Sequence, residues 1–201
     1  MSSRCGLKAE SWVVEEMGVS SLELYKEFTE ADTMACLLTF VTLLHLITLA
    51  MVFIATTEKS WWTVDKVEQA DLWNKCIYDN NTDTFMCTTA SGNDWLQSVQ
   101  VLMVLSVILS SMSFVVFVCQ LCLMSRRGLF YFSGLSQIFA GLTTFAAVLI
   151  YTCQRKEILQ NPRENQGHFG YCYILAWVCV PLMLGSGILY VHLRKKTHTT
   201  A

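Results

Sequence analysis

The sequence predicts an all-α membrane protein with four spanning helices. Hydrophobic residues make up 53% of the 201-residue chain and charged residues only 15%, against a usual charged share near 25%. Mean hydropathy is +0.42, and a soluble domain of this size cannot cover that much apolar surface with polar groups. Four stretches run free of Asp, Glu, Lys and Arg for the roughly 20 residues that a spanning helix needs.

The elements follow in chain order. Residues 1–33 are acidic, with Glu10, Glu15, Glu16, Glu23, Glu27, Glu30 and Asp32 against Arg4, Lys8 and Lys26. Val14, Met17, Leu24 and Phe28 fall near helical spacing, and Ser21 interrupts the stripe. A partner-binding helix is one reading of this cytoplasmic extension, and a weakly ordered tail is the plainer one. Its acidity argues against adsorption to an anionic leaflet. The four-span domain is set at 34–201, with its first span at 35–56. That span is longer than a signal-peptide core and reads as a retained signal anchor. Met34 opens it, so translation could also begin there. An external loop follows at 57–98, then the second span at 99–124 and the third at 129–152. A second external loop at 153–169 leads to the fourth span at 170–193. None of these runs alternates polar and apolar residues as barrel strands do. In lipid a segment must close its own backbone hydrogen bonds, so each run is a helix.

Four spans put both termini on one side. Arg126 and Arg127 occupy the turn between spans two and three, and Arg194, Lys195 and Lys196 follow span four. Basic residues near membrane ends stay cytoplasmic, which places both termini inside a multi-pass plasma-membrane protein. Arg155, Lys156 and Arg163 pull the other way. The sequon Asn80-Asn81-Thr82 decides more, because N-linked sugar is added only in the secretory lumen. Cys76 and Cys87, which flank it, suit the same oxidising side.

The first external loop reads Glu58-Lys59-Ser60-Trp61-Trp62-Thr63, then Leu72-Trp73-Asn74-Lys75-Cys76, then ten residues, then Cys87. Set between spans one and two of a four-span chain, this pattern resembles the peripheral myelin protein 22 and claudin superfamily. The stretches Trp95–Ser106, Arg126–Tyr131, Phe169–Val178 and Tyr190–Lys196 narrow the resemblance to its epithelial membrane protein branch. It covers about Met34 to Lys196, and residues 1–33 and Cys153 have no counterpart in the pattern. The resemblance implies an antiparallel four-transmembrane-helix bundle with a small extracellular β-sheet, built mainly from the first external loop. It implies a disulfide between Cys76 and Cys87, a glycan on Asn80, and a family motif of Trp61, Trp62, Leu72 and Trp73. The residues are compatible with it: Trp61, Trp62, Thr63 and Val64 favour a strand, and Asp79-Asn80-Asn81 favours a turn. Trp61, Trp62 and Trp95 also suit an interfacial aromatic belt, so anchoring and sheet packing outweigh ligand binding for them.

Other candidates have plainer readings. His45 lies mid-span, where an ionisable group flags function, but a neutral imidazole bonded to a neighbouring helix suffices. Gln100, Gln120 and Gln137 are expected to bond between helices, and Ser133, Ser136, Gly141, Thr144 and Ala147 form a small-residue packing face on span three. Pro181 is expected to bend span four. Cys119 and Cys122 form a lone C-x-x-C with no second pair for zinc, and Cys122 is a palmitoylation candidate. Cys153 and Cys172 flank the second loop and could pair. No nucleophile–base set, phosphate loop or paired-carboxylate site occurs in the spans, so no enzyme, cofactor or metal is expected. A net charge of −2 offers no basic field for nucleic acid.

The resemblance implies a tetraspan plasma-membrane glycoprotein of cell–cell interaction, proliferation control and membrane organisation. Its partners would be the bilayer and other membrane proteins (receptors, channels or adhesion proteins), with a homo-oligomer also open. Two alternatives stand beside it. One is a claudin-like paracellular barrier, with Asp65, Glu68 and Asp71 supplying pore charge, although the chain ends His198-Thr199-Thr200-Ala201 without the long claudin tail. The other is an auxiliary subunit of an ion channel or receptor.

Overall fold

A computed structural model describes residues 4–64, 68–90, 93–123, 129–159 and 167–199. The Arg126-Arg127 turn, Asp65 and Arg163 lie outside the described residues, as do the side chains of Cys122, Val14, Met17, Leu24, Arg194, Lys195 and Lys196. The chain divides into two units, residues 1–42 and 43–201.

The first unit is helical from Arg4, where helix α1 (Arg4–Thr57) begins. The segment expected as a weakly ordered tail is therefore helix. No proline falls between Arg4 and Thr57, and Glu, Leu and Ala, all good helix formers, are frequent there. The hydroxyls of Thr33 and Thr39 bond back to the carbonyls of Thr29 and Ala35 at 2.7 and 2.9 Å, so both are satisfied within their own helix.

The second unit holds the rest of α1, then α2 (Asp94–Leu123), α3 (Leu129–Cys153), a short α4 (Arg155–Leu159) and α5 (Tyr171–Thr199). Among the described residues, four helices are long and apolar enough to cross a membrane, over Ala35–Thr57, Asp94–Gln120, Tyr131–Cys153 and Tyr171–His192. Helix α2 opens ahead of the apolar heart at Val99 because Asn93 caps it. The Asn93 side-chain oxygen accepts the Trp95 and Leu96 N–H groups at 3.0 and 3.4 Å, and its carbonyl accepts that of Gln97 at 3.0 Å.

Buried positions step by threes and fours along each span. In α2 they are Val99, Met103, Ser106, Ser110, Ser113 and Phe117. In α3 they include Ser133, Gln137, Ala140, Thr144, Ala147 and Tyr151, and in α5 Cys172, Ala176, Cys179, Met183, Ser186 and Tyr190. The α1 part of this unit buries His45, Thr48, Val52 and Ala55. This 3.5-residue period is the seam of left-handed helix packing.

Helix α3 packs between α2 and α5. Its two faces use different chemistry. Towards α2, small hydroxyls bond across the seam. Ser113 and Ser133 donate to each other's carbonyls at 2.8 Å, Ser136 donates to the Leu109 carbonyl at 3.0 Å, and the Ser106 and Thr144 hydroxyls lie 2.6 Å apart. Towards α5, glycine lets the backbones approach. A Cβ at Gly187 would stand 2.6 Å from Ile138 and 2.9 Å from the Gly134 carbonyl. Both devices suit helices in lipid, where apolar side chains gain nothing by leaving the solvent.

Among the described residues, five antiparallel strands complete the unit, in the order β4-β3-β2-β1-β5. The first external loop supplies β1 (Trp62–Val64), β2 (Glu68–Ala70), β3 (Asn74–Asp79) and β4 (Thr84–Thr89). The second loop adds β5 (His168–Phe169), which pairs with β1 through Trp62 and Phe169. Helix α1 ends and α2 begins at the sheet, and α3 ends and α5 begins there too, so the sheet sits at one end of the spans.

Candidate functional site

The sheet is joined to the helices through the tryptophan motif. Trp61 is fully buried, donates its indole N–H to the Ala55 carbonyl at 2.7 Å, and stands edge-on to Tyr151 with ring centres 4.9 Å apart. Its backbone N–H bonds to the Ala70 carbonyl at 3.1 Å, and its carbonyl accepts the Gly170 N–H at 2.9 Å. One residue thus ties α1, the sheet and the start of α5 together. Trp62, also buried, meets Phe169 edge-on at 5.2 Å, and the Arg155 guanidinium lies over the Trp62 and Phe169 rings at 5.6 and 5.7 Å. Phe169 in turn stacks on Tyr173 of α5 at 4.1 Å.

Leu72 is fully buried, and its carbonyl accepts the Gln100 amide. Trp73 is 37% exposed and donates its indole N–H to the Thr56 carbonyl at 2.8 Å, at the end of α1. Of the two roles read for Trp61 and Trp62, belt anchoring and sheet packing, the structure shows packing: Trp61 is buried at the end of α1 and Trp62 within the sheet. Trp95 is 42% exposed at the start of α2. Gln100 is corrected, since it reaches the sheet rather than a neighbouring helix.

Two glycines make these contacts possible. A Cβ at Gly170 would collide with the Ser60 carbonyl, and one at Gly167 would collide with the Trp62 indole. They bracket His168-Phe169, and that bracket was the sequence signal for β5. Tyr151, Tyr173 and Arg155 carried no comparable signal, because an aromatic near a membrane end reads first as a belt residue.

Beyond this anchor projects the β3–β4 hairpin. Cys76 and Cys87 face each other in the strand register, with Cα atoms 4.0 Å apart, and their sulfurs are bonded. Tyr78 and Phe85 pair edge-on beside them at 5.3 Å. The tip is Asn80 to Asp83, with Asn80 exposed. Asp79 organises it by accepting the Asn81 N–H at 3.0 Å, the Thr82 hydroxyl at 3.1 Å and, at its carbonyl, the Asp83 N–H at 3.0 Å. Asp83 takes φ of 54°, a left-handed conformation that Asp tolerates, and accepts the Tyr78 phenol. That hydrogen bond holds the phenol's pKa above its ordinary value.

The carboxylates of the sheet are internally engaged. Glu68 is buried and paired with Lys75 at 3.0 Å, and the Lys75 ammonium also reaches the Leu159 carbonyl of α4 at 3.2 Å. Asp71 is buried and accepts the backbone N–H groups of Trp73 and Asn74. Two of the three charges considered for a pore, Glu68 and Asp71, are thus buried and partnered within the sheet.

Among the described residues no cluster of His, Cys, Asp and Glu can hold a metal ion. Cys153 and Cys172 are both free thiols, so the second disulfide does not form. Inside the bundle His45 is buried and bonded to neighbouring helices, and Gln137 accepts the Ser110 hydroxyl of α2 at 3.1 Å.

Comparison with known proteins adds one family match and three relatives. The description PMP-22/EMP/MP20/Claudin family matches residues 34–190. Human epithelial membrane protein 3 is 49% identical over 164 residues, covering 81% of this chain and 99% of that protein. Its bovine counterpart is 47% identical over 163 residues with the same coverage, and human epithelial membrane protein 2 is 36% identical over 172 residues.

Proposed function

We infer the function from one premise: the chain belongs to the PMP-22/EMP/MP20/Claudin family. It is a multi-pass membrane protein and not an enzyme, and its role is in cell–cell interaction and membrane organisation. The sheet is its outward surface at the plasma membrane, both termini are cytoplasmic, and Asn80 carries an N-linked glycan. It acts by lateral contact with other membrane proteins and thereby bears on proliferation control.

The observation that supports this reading most is the build of the sheet. Trp61, Trp62 and Leu72 are buried at its base, while every residue of β4 is exposed and Asn80 stands at the hairpin tip. Rigid anchoring below and an unencumbered hairpin above suit a recognition surface. They do not suit a catalytic cleft, which would need a concave site with converging polar groups.

The test is proximity labelling from the external hairpin in intact cells, with the parent chain and the Asn80→Gln form. The expected result is a set of surface proteins enriched above an unrelated four-span control, together with loss of a glycosidase-sensitive mass shift in Asn80→Gln. Labelling indistinguishable from the control would remove the recognition role. An absent mass shift in the parent chain would remove the orientation and the glycan.

A further inference from the structure

All four spans meet in one chain of hydrogen bonds, which the recognition surface does not use. The Tyr190 hydroxyl of α5 lies 2.6 Å from Nδ1 of His45 on α1, and Nε2 of that ring lies 3.1 Å from the Ser110 carbonyl of α2. The Ser110 hydroxyl then donates to Gln137 Oε1 of α3 at 3.1 Å. Each of these residues is buried. Phe114 and Tyr190 stand edge-on to the imidazole with ring centres at 5.3 and 5.7 Å, closing it off from lipid.

Nε2 faces two groups of Ser110, the carbonyl at 3.1 Å and the hydroxyl at 3.5 Å. The carbonyl is the nearer and can only accept, so the geometry puts the hydrogen on Nε2. A neutral ring then leaves Nδ1 as an acceptor, and Tyr190 must donate to it. Gln137 keeps its amide nitrogen without a partner, which leaves the serine side of the chain at the Gln137 oxygen.

The four helices are not held alike. Helix α3 grips α2 by reciprocal serine bonds and α5 by glycine contact. In the second unit α1 has neither device: its buried seam beside His45 is Thr48, Val52 and Ala55, and the Thr48 hydroxyl bonds back to the His45 carbonyl of its own helix. The Trp61 and Trp73 indoles hold the outer end of α1 at the Ala55 and Thr56 carbonyls, but further along the span a small apolar seam fixes little, because sliding it exposes nothing costly. A single polar group that must find its partners does fix register.

We propose that His45, locked as the Nε2–H tautomer between Tyr190 and Ser110, is the latch that sets the register of the first span against α2 and α5. It is a positioning residue. Its replacement releases α1 while leaving the α2–α3–α5 core assembled.

The test uses the full chain in lipid bicelles. Nitrogen-15 spectra of the imidazole are expected to show a protonated Nε2 and an unprotonated, hydrogen-bonded Nδ1. Tyr190→Phe should abolish the Nδ1 hydrogen bond, a change that a merely space-filling histidine would not show. Amide exchange of residues 43–52, away from the Trp61 and Trp73 anchors, should quicken about three- to eightfold in Tyr190→Phe and His45→Leu, as the loss of one or two intramembrane hydrogen bonds implies. Exchange in α2, α3 and α5 should stay as in the parent, and His45→Gln, which can donate and accept at similar positions, should restore α1. An Nδ1–H tautomer, a Tyr190→Phe spectrum unchanged from the parent, or α1 exchange unaffected by His45→Leu would each overturn the latch. So would loosening of all four helices together.

Discussion

At the scale of single residues, the tryptophan motif illustrates what a sequence can and cannot convey. Trp61, Trp62, Leu72 and Trp73 were legible as a family pattern and as residues near a membrane edge. Their separate depths were not, because an indole suits an interface and a core equally well and depth is set by what lies across from it. For Trp61 that is Tyr151 and Tyr173, residues 90 or more positions away in sequence that no local pattern connects to it. The structure therefore predicts unequal substitutions. Trp61→Ala removes a fully buried indole and its bond to Ala55, and should cost about 3–5 kcal/mol. Trp73→Ala removes a half-exposed ring and one hydrogen bond, and should cost nearer 1–2 kcal/mol. Unfolding of the purified chain in mixed micelles would rank them. Equal losses would mean that Trp61 is a belt residue after all.

At the scale of elements, the spans were legible because length and absence of charge are local properties. The partner of each face was not. Span three was read as a small-residue packing face, and Ser133, Ser136 and Thr144 do face α2. The complementary set Ser106, Ser110 and Ser113 on α2 was missed, although its spacing of four and three residues was visible in the sequence. A serine in an apolar run reads as tolerated rather than aimed, since its hydroxyl can always bond back to its own helix. The Ser113–Ser133 pair instead bonds reciprocally, carbonyl to hydroxyl in both directions. A double-mutant cycle of Ser113→Ala and Ser133→Ala should therefore show coupling of about 0.6–1.7 kcal/mol, the range of intramembrane hydrogen bonds. Strictly additive losses would show that each hydroxyl bonds back to its own helix when its partner is absent.

At the scale of the whole molecule, the fold divides its polar groups into those that hold it together and those that it presents. Charge is where the two are most easily confused. A pore reading takes any acidic residue of the first loop as a lining group, because sequence alone gives a carboxylate no partner. In the second unit, Lys75 neutralises Glu68, and the backbone N–H groups of a tight turn hold Asp71, so both are buried at their work of shaping the sheet. A buried, paired carboxylate cannot exchange its partner for a passing cation without the desolvation cost of both charges. Expression in an epithelial monolayer should accordingly leave transepithelial resistance and paracellular ion selectivity unchanged. Glu68→Gln should lower the amount of folded protein at the surface through the unpaired Lys75, with no change in selectivity per molecule. A shift in dilution potential on expression, abolished by Glu68→Gln at matched surface level, would instead show that the carboxylate reaches the aqueous path, and the barrier reading would replace lateral recognition.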